Sequence, residues 1–266
     1  MSVHAAVARG VPRSRRGLLI VNADDWGRDP ETTRAIVDGI HCGAVSAVSA
    51  MVFMADSERA SNIARDDGVD VGLHLNFTTP WSAPSCRGRL VEQQAILARY
   101  LTRYRLAPVV FQPRLARPFE YVVSAQIAEF RRLYGTDPVR FDGHHHMHLC
   151  ANLLIQRLLP AGSLVRRNFS FTPGERGHLN RIYRRLVDRW LARRYRLVDF
   201  FFSLPPLTTS SRLSRILALA RGHVVEVETH PVSPDEHHFL VGGEFLERTA
   251  DIRIAPPPAV TNRLRP

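Results

Sequence analysis

The sequence predicts an α/β protein of the (β/α)-barrel class, TIM-like and with seven strands. The chain has 266 residues, a length that such barrels commonly reach as one domain. Short apolar runs alternate with helical segments, which is typical of parallel strands joined by crossover helices. Candidate catalytic side chains follow several of these runs, at the strand ends where barrels carry their active sites.

Seven strand–helix units are expected, and this number favours a closed or nearly closed barrel over an open sheet. The first strand is the continuous apolar run within 17–23, typical of a strand buried on both faces. Pro30 marks the first turn of the helix that follows, over 31–41. The other strands are expected near 45–53, 69–76, 139–145, 163–169, 197–203 and 223–229. The other helices are expected near 56–66, 92–104, 120–134, 151–159, 178–195 and 209–221.

The domain organisation is expected to be simple, with a flexible tail over 1–16 and one catalytic domain over 17–266. No apolar run approaches the roughly 20 residues that cross a bilayer, and the tail has no apolar segment of a secretory signal. Three widely spaced cysteines predict neither a disulfide framework nor a zinc ribbon. We therefore expect a cytoplasmic protein, with membrane association as an additional expectation from its charge.

The net charge of +11 indicates either an anionic partner or a generally Arg-rich composition. Arginines concentrate in 178–196, where apolar residues recur at helical spacing, so a basic amphipathic helix is expected there. Its apolar stripe would pack on the sheet, and its Arg face would contact an anionic membrane surface. No nucleic-acid partner is expected, and a homodimer is a further expectation. The chain carries no Walker A sequence, no GxGxxG after the first strand and no GxSxG elbow, which argues against nucleotide binding and serine-based acyl transfer.

Asp24 and Asp25 end the first apolar run. Within a strand they would face opposite sides, but where the chain turns at a strand end both can point into one mouth. One would then bind a metal and the other would act as a base. The alternative is a pair of solvated turn carboxylates beside Gly27.

Histidines follow two further strands. His74 lies between Gly72 and Asn76 in a period-2 polar stripe, and it is either a metal ligand or a hydrogen-bonded core histidine. The run 142–148 holds one Asp and four His. Alternation along a continuing strand would place Asp142, His144, His146 and His148 on one face, with His145 pointing away. One or two could ligate and the others orient ligands or bind substrate, unless the tract is a surface feature.

Glu226, Glu228 and His230 share one face of the last strand, so His230 would reach the same barrel end. A histidine there suits general-acid or ligand chemistry, because imidazole in general exchanges its proton close to neutral pH. The alternative is a structural histidine before the loop that Pro231 begins.

Four segments that carry these residues resemble the YdjC-like carbohydrate deacetylases (the ChbG/HpnK family). They are LLIVNADDWG at 18–27, VGLHLNFT at 71–78, FDGHHHMH at 141–148 and VETHPV at 227–232, in the order of the family. The resemblance implies a (β/α) barrel, often of seven strands. It also implies metal-dependent hydrolysis of N-acetylated sugars, either oligosaccharides or lipid-linked glycans.

The resemblance also assigns roles to residues. Asp25, His74 and His144 would hold one divalent ion, Mg or Zn, because a mixed carboxylate–imidazole site accepts either. Asp24 would take the proton of the attacking water, and His230 would protonate the departing amine. Two other functions stay open. One is a metal-dependent phosphoesterase or another amidohydrolase, and the other is a catalytically silent carbohydrate- or anion-binding barrel.

Overall fold

A computed structural model describes residues 17–86, 88–104, 106–171, 175, 177–204, 207 and 210–257. The expected tail over 1–16 lies outside the described residues. The strands are β1 (Leu18–Trp26), β2 (Ala47–Ala50), β3 (Val71–Leu75), β4 (Arg140–Gly143), β5 (Leu164–Val165), β6 (Phe200–Ser203) and β7 (Val224–Thr229). The helices are α1 (Pro30–His41), α2 (Ser57–Asp66), α3 (Arg89–Arg103), α4 (Ala116–Tyr134), α5 (Ala151–Gln156), α6 (His178–Leu191), α7 (Ser210–Ala220), α8 (Pro234–Val241) and α9 (Glu244–Thr249).

The seven strands form one parallel sheet in the order β5-β4-β3-β2-β1-β7-β6, so the predicted class and strand number are confirmed. The prediction of a closed or nearly closed barrel is confirmed only in part, because no hydrogen-bonded ladder joins β5 to β6 in the described part of the chain. The reason is that β5 has two residues and its outer edge pairs with Arg196 instead. One backbone hydrogen bond crosses the seam, from Ser170 N to Phe201 O at 2.8 Å.

The sheet is strongly curled, as the position of Arg166 shows. This residue follows β5 directly, yet its Nε lies 2.7 Å from Glu226 Oε1 on β7. Four strands separate β5 from β7 in the sheet, a distance of about 24 Å if the sheet were flat. Curling therefore brings the two side chains together inside a half-barrel.

Alternation along the strands gives the half-barrel two different layers. Leu19, Val21 and Ala23 of β1 belong to the large apolar cluster that packs against the helices. Leu18 and Ile20 point the other way, into a small apolar cluster with Val198 and Phe201. Further along the same inner face the residues become polar and charged, and these fill the half-barrel towards the carboxyl ends of its strands.

The strand expected through His145 ends at Gly143, so the prediction of a common face for Asp142, His144, His146 and His148 is wrong. Residues 144–149 form a 3₁₀ turn in which His145 and His146 have φ of 54° and 57°. These left-handed residues destroy the two-residue alternation of a strand. The neighbouring imidazoles consequently point in different directions.

The Arg-rich segment 178–196 is helical only over His178–Leu191. Contrary to expectation, the first half of its apolar stripe is exposed, and Leu191 is the only apolar residue that α6 buries. The short helices α8 and α9 were not predicted from the sequence. Among the residues that the structure covers, no helix has the length and hydrophobicity to cross a membrane.

A glycine on β3 leaves room for a buried cation of the inner layer, and this generates a stability prediction. A Cβ at Gly72 would lie 2.8 Å from Cζ of Arg140. That guanidinium donates to Asn22 Oδ1 at 2.6 Å and to Asp70 Oδ1 at 3.0 Å, so it cannot retreat without losing hydrogen bonds. Gly72→Ala should lower the free energy of unfolding in urea by about 1–3 kcal/mol. Gly222→Ala is the control, because its Cβ would enter open space. Equal stability of both variants would contradict the packing described.

Candidate metal centre

A cavity of about 370 Å³ opens at the carboxyl ends of the central strands. Its lining combines residues from all four sequence segments singled out above, including every predicted site residue. The lining residues are Asp24, Asp25, Arg28, His74, Gly143, His144, His145, His146, Glu228 and His230. The curled sheet thus brings together side chains that are up to 206 positions apart in the chain, between Asp24 and His230.

The two aspartates point into one cavity because β1 is irregular at its end. The register between β1 and β2 shifts between Ala23 and Trp26, and Asp25 has a left-handed φ of 65°. A non-glycine residue adopts this conformation at a cost, and such strain is concentrated at functional sites. The expectation that a turn aims both carboxylates at one mouth is therefore confirmed.

Asp25, His74 and His144 place one ligand atom each within 4.8 Å of one another. Asp25 Oδ1 lies 2.9 Å from His144 Nδ1 and 3.4 Å from His74 Nε2. This oxygen is buried, yet neither contact has hydrogen-bond geometry, so the atom is left without a hydrogen bond. A buried carboxylate oxygen is costly in that state, and a cation between it and the two imidazole nitrogens would satisfy it. The three residues therefore fit a divalent metal ion.

The position of His74 is fixed by the strand beside it. Its Nδ1 donates to Asp142 Oδ1 at 2.8 Å, and Asp142 Oδ2 accepts from Ser49. This bond leaves Nε2 on the side of Asp25. A carboxylate that orients a ligating imidazole in this way is a common feature of metal sites.

The electrostatics of the site favour positive charge. Burial alone would lower the pKa of His74, but Asp24 and the hydrogen bond to Asp142 raise it to about 10. Burial would raise the pKa of Asp25, but His144 and His74 hold it well below its usual range. The imidazole of His74 thus lies in a strongly negative potential, which attracts a proton or a metal ion alike.

A second group of possible ligands, Asp24, His74 and Asp142, is also close enough to hold an ion. Arg166 makes this set unsuitable, because its guanidinium lies 2.6 Å from Asp24 and 3.2 Å from Asp142. A metal ion there would stand beside a fixed positive charge, and Asp142 already accepts hydrogen bonds from two side chains. The set with Asp25 and His144 is the better one.

Arg166 organises the carboxylates behind the cavity. Its Nη1 and Nη2 bind the two oxygens of Asp24 at 2.6 and 2.8 Å, and its Nε binds Glu226 at 2.7 Å. Nη2 reaches Asp142 at 3.2 Å and Nη1 reaches Glu228 at 3.4 Å. One buried guanidinium thus faces four carboxyl groups from three strands. Sequence reasoning did not single out Arg166, because nothing in its residue type separates a buried arginine from an exposed one. The signal was a charged residue directly after the buried strand residue Val165.

These carboxyl groups differ in their affinity for protons. Burial acts to raise the pKa of Asp24, but Arg166 beside it lowers that pKa below its usual value. The pKa of Glu228 is raised well above its usual value, first by burial and then by the charge of Asp24. The cavity wall therefore carries an ionised Asp24 beside a carboxyl group that favours its protonated form.

The remaining histidines take separate places. His144 joins the candidate ligands, while His145 lies beside its ring and contacts Thr78. His146 packs edge-on against Phe169, and burial lowers its pKa to about 3. His148 is buried and donates to the backbone oxygen of Arg166 at 3.0 Å, so it supports that residue from behind.

His230 lies at the cavity after the end of β7, as predicted. Its backbone N–H donates to Glu236 Oε2 at 2.9 Å, and the same oxygen accepts from Thr229 at 2.6 Å. Glu236 belongs to α8, which was not predicted. The helix therefore fixes the backbone that presents His230.

The curled parallel sheet and the buried Asp–His–His cluster at its strand ends define an α/β protein with side chains that fit a metal ion. The chain matches the YdjC-like protein family over residues 18–264, and it belongs to that family. The resemblance inferred from the four sequence segments is confirmed.

The relatives are enzymes of sugar deacetylation by name. The chain is 29% identical to a mouse (Mus musculus) carbohydrate deacetylase over 62% of this chain and 53% of the relative. It is 32% identical to a chitooligosaccharide deacetylase of Serratia marcescens over 50% of this chain and 51% of the relative. The chain thus spans about half the length of the curated relatives it matches.

A crystal structure from Enterococcus faecalis V583, described as a candidate cellobiose-phosphate cleavage protein, has the same fold. It aligns with a TM-score of 0.62 and 19% identity, over 91% of this chain and 97% of that one.

The network around Arg166 generates a second stability prediction. Arg166→Gln would leave several buried carboxyl groups without their cation, so the free energy of unfolding should fall by about 3–5 kcal/mol. Urea denaturation measures this change. The control is Arg221→Gln, which removes an exposed pair with Asp251 and should change stability little. If both variants were equally stable, Arg166 would not be the cation that holds the inner layer together.

Proposed function

We propose that the protein is a metal-dependent N-deacetylase of acetylated sugars, either oligosaccharides or lipid-linked glycans. The observation that carries the proposal is the unsatisfied oxygen of Asp25 between two imidazoles, with the ionised Asp24 on the same cavity wall. Membership of the YdjC-like family and the names of the relatives support the substrate class.

In this proposal Asp25, His74 and His144 hold one divalent ion, Mg or Zn. When bound, such an ion polarises a carbonyl oxygen and lowers the pKa of water. Hydrolysis of the N-acetyl group gives acetate and a free amino sugar. The mixed carboxylate and imidazole ligands do not by themselves select between the two metals.

Asp24 is the proposed general base. It is ionised, and Arg166 and Asn22 fix its orientation through hydrogen bonds of 2.6 to 2.8 Å. Its Oδ2 accepts a single hydrogen bond in the described part of the structure, so lone-pair capacity remains for a water proton. Orientation by a fixed cation holds the base at the cavity while it removes that proton.

His230 is the proposed proton donor to the departing amine. It lines the same cavity as the candidate ligands and does not belong to their cluster. Breaking the carbon–nitrogen bond requires a proton on the nitrogen, since an amide anion is a poor leaving group.

Two other functions compete with this one: a phosphoesterase or different amidohydrolase, and a silent carbohydrate- or anion-binding barrel. A screen for acetate release separates them. The purified protein, stripped of metal and reloaded with Mg or Zn, is offered N-acetylated glycans and phosphate esters. The proposal expects acetate release that depends on metal. Phosphate release without acetate, or binding without turnover, would favour a competitor.

Other features of the protein also remain proposals. We propose one catalytic domain over 17–266, a cytoplasmic location with association at an anionic membrane through the segment 178–196, and a homodimer. The single domain follows from the run of strand–helix units, and the location and membrane association follow from composition and charge.

The first functional prediction concerns the metal. His74→Ala should lose most bound metal, because it removes one of the three ligands. The ligand removed is also the one that Asp142 holds in place. Elemental analysis of the purified protein measures it. His41→Ala is the control, since His41 is exposed and pairs with Asp67 at the surface. Full metal content and activity in His74→Ala would remove His74 from the ligand set.

The second concerns the base. Asp24→Asn should retain the metal and lose turnover by roughly 100-fold or more, since an amide cannot accept the proton. Metal content and the rate of acetate release are measured together on the same preparation. Normal turnover with normal metal content would show that another group is the base.

The third concerns the acid. His230→Ala should lower turnover with little loss of metal, and the basic limb of the pH–rate profile should change. His223→Ala, at the opposite end of β7, is the matched control. A metal-free His230→Ala protein would instead make His230 a ligand.

A further inference from the structure

One helix of the molecule exposes the first half of the apolar stripe that its sequence pattern was expected to bury. On α6 the exposed fractions are 84% for Leu179, 51% for Ile182, 46% for Tyr183 and 56% for Leu186. Their spacing of three and four residues puts them on one face of the helix. By comparison, α4 buries Phe119 and Val122 among several other residues of its apolar face.

The second half of the helix attaches it to the protein, by both polar contacts and apolar packing. Asp188 binds Arg167 at 2.8 Å and accepts from the backbone and side chain of Asn168 at 3.0 and 2.9 Å. Leu191 is buried, and Val187 and Trp190 are partly buried against the apolar core. The anchoring therefore uses only the second half of the stripe, and the first half remains directed at solvent.

A second exposed apolar segment lies beside the helix. Leu106, Val109 and Val110 are large apolar residues with about half or more of their surface exposed. Val109 and Tyr183 both line one cavity of about 330 Å³. The two segments therefore border the same cavity, and together we call them the apolar rim.

The charge beside the apolar rim is strongly positive. The segment 178–196 contains seven arginines, at 181, 184, 185, 189, 193, 194 and 196, and a single acid, Asp188. That acid is neutralised by Arg167, as its contacts show. Exposed apolar side chains flanked by arginines suit the boundary between the headgroups and acyl chains of an anionic bilayer.

We propose that α6 and the segment 106–110 form a membrane-contacting face that binds anionic lipid bilayers. A second copy of the chain suits the face less well. A two-fold interface would bring the same arginines of both copies together, and like charges in contact oppose association. The exposed apolar stripe equally disfavours a phosphate backbone, which is recognised by charge and hydrogen bonds.

The face lies next to the candidate metal centre. The cavity beneath the apolar rim shares His145 and His146 with the metal cavity. Binding would therefore turn both cavities towards the lipid surface, where acetylated sugars displayed on a membrane could enter. This last consequence rests on the proposed function, whereas bilayer binding does not.

The test is co-sedimentation of the full chain with vesicles of phosphatidylcholine alone, or of phosphatidylcholine with phosphatidylglycerol. Binding is expected to the anionic vesicles and to weaken as salt rises from low to physiological concentration, because the Debye length shortens to about 8 Å. No binding to anionic vesicles at low salt would overturn the proposal. Acetate release is measured in parallel, so that the deacetylase proposal is judged separately from the membrane proposal.

Variants locate the face. Arg185→Gln with Arg189→Gln should weaken anionic-vesicle partitioning by about 30-fold, at about 1 kcal/mol for each arginine. Ile182→Ser with Leu186→Ser should weaken it by roughly tenfold. The matched controls, Arg253→Gln and Val139→Ser, lie at the amino ends of β1 and β4 and should bind like the unaltered chain.

Two results would contradict the assignment. Equal binding by the α6 variants and the controls would place the lipid contact elsewhere. The second result is a chain that does not bind vesicles but forms a concentration-dependent dimer in sedimentation velocity. If Ile182→Ser with Leu186→Ser abolished that dimer, the partner of the apolar rim would be a second copy of the chain. Urea midpoints for each variant confirm that a loss of binding is not a loss of folding.

Discussion

The guanidinium of Arg166 lies inside the half-barrel, bound to carboxyl groups from three strands at distances between 2.6 and 3.4 Å. Several acids buried together repel one another and cannot all be ionised without a cation. Arg166 supplies that cation at a point that β1, β4 and β7 all reach. The ionised state of Asp24 depends on this contact, whereas burial and the charge of Asp24 raise the pKa of Glu228 in spite of Arg166.

The same contact separates two kinds of acid at the cavity. Asp24 and Asp142 are bound to Arg166, which fixes the orientation of Asp24, while Asp142 also holds His74. Asp25 is turned away by the irregular end of β1 and keeps an oxygen without a hydrogen bond. Adjacent aspartates thus acquire different chemistry, because one faces a fixed arginine and the other faces two imidazoles.

Much of this could be predicted from the sequence. Continuous apolar runs identify buried parallel strands, and polar residues after them identify the functional end of the sheet. The directions of the histidines after β4 could not be predicted, since left-handed residues such as His145 leave no pattern in the sequence. Arg166 was missed because a buried and an exposed arginine look alike in sequence. The exposed half of the α6 stripe was missed because periodicity shows that a helix has an apolar face but not whether that face is covered. Helix α8, which fixes the backbone of His230, was also missed, since its polar sequence shows little apolar periodicity.

The most direct test of the central claim is anomalous diffraction from crystals soaked with zinc or manganese. The account predicts one anomalous peak within ligand distance of Asp25, His74 and His144, with Arg166 still bound to Asp24. A peak between Asp24, His74 and Asp142, or no peak at a metal concentration that supports acetate release, would contradict it.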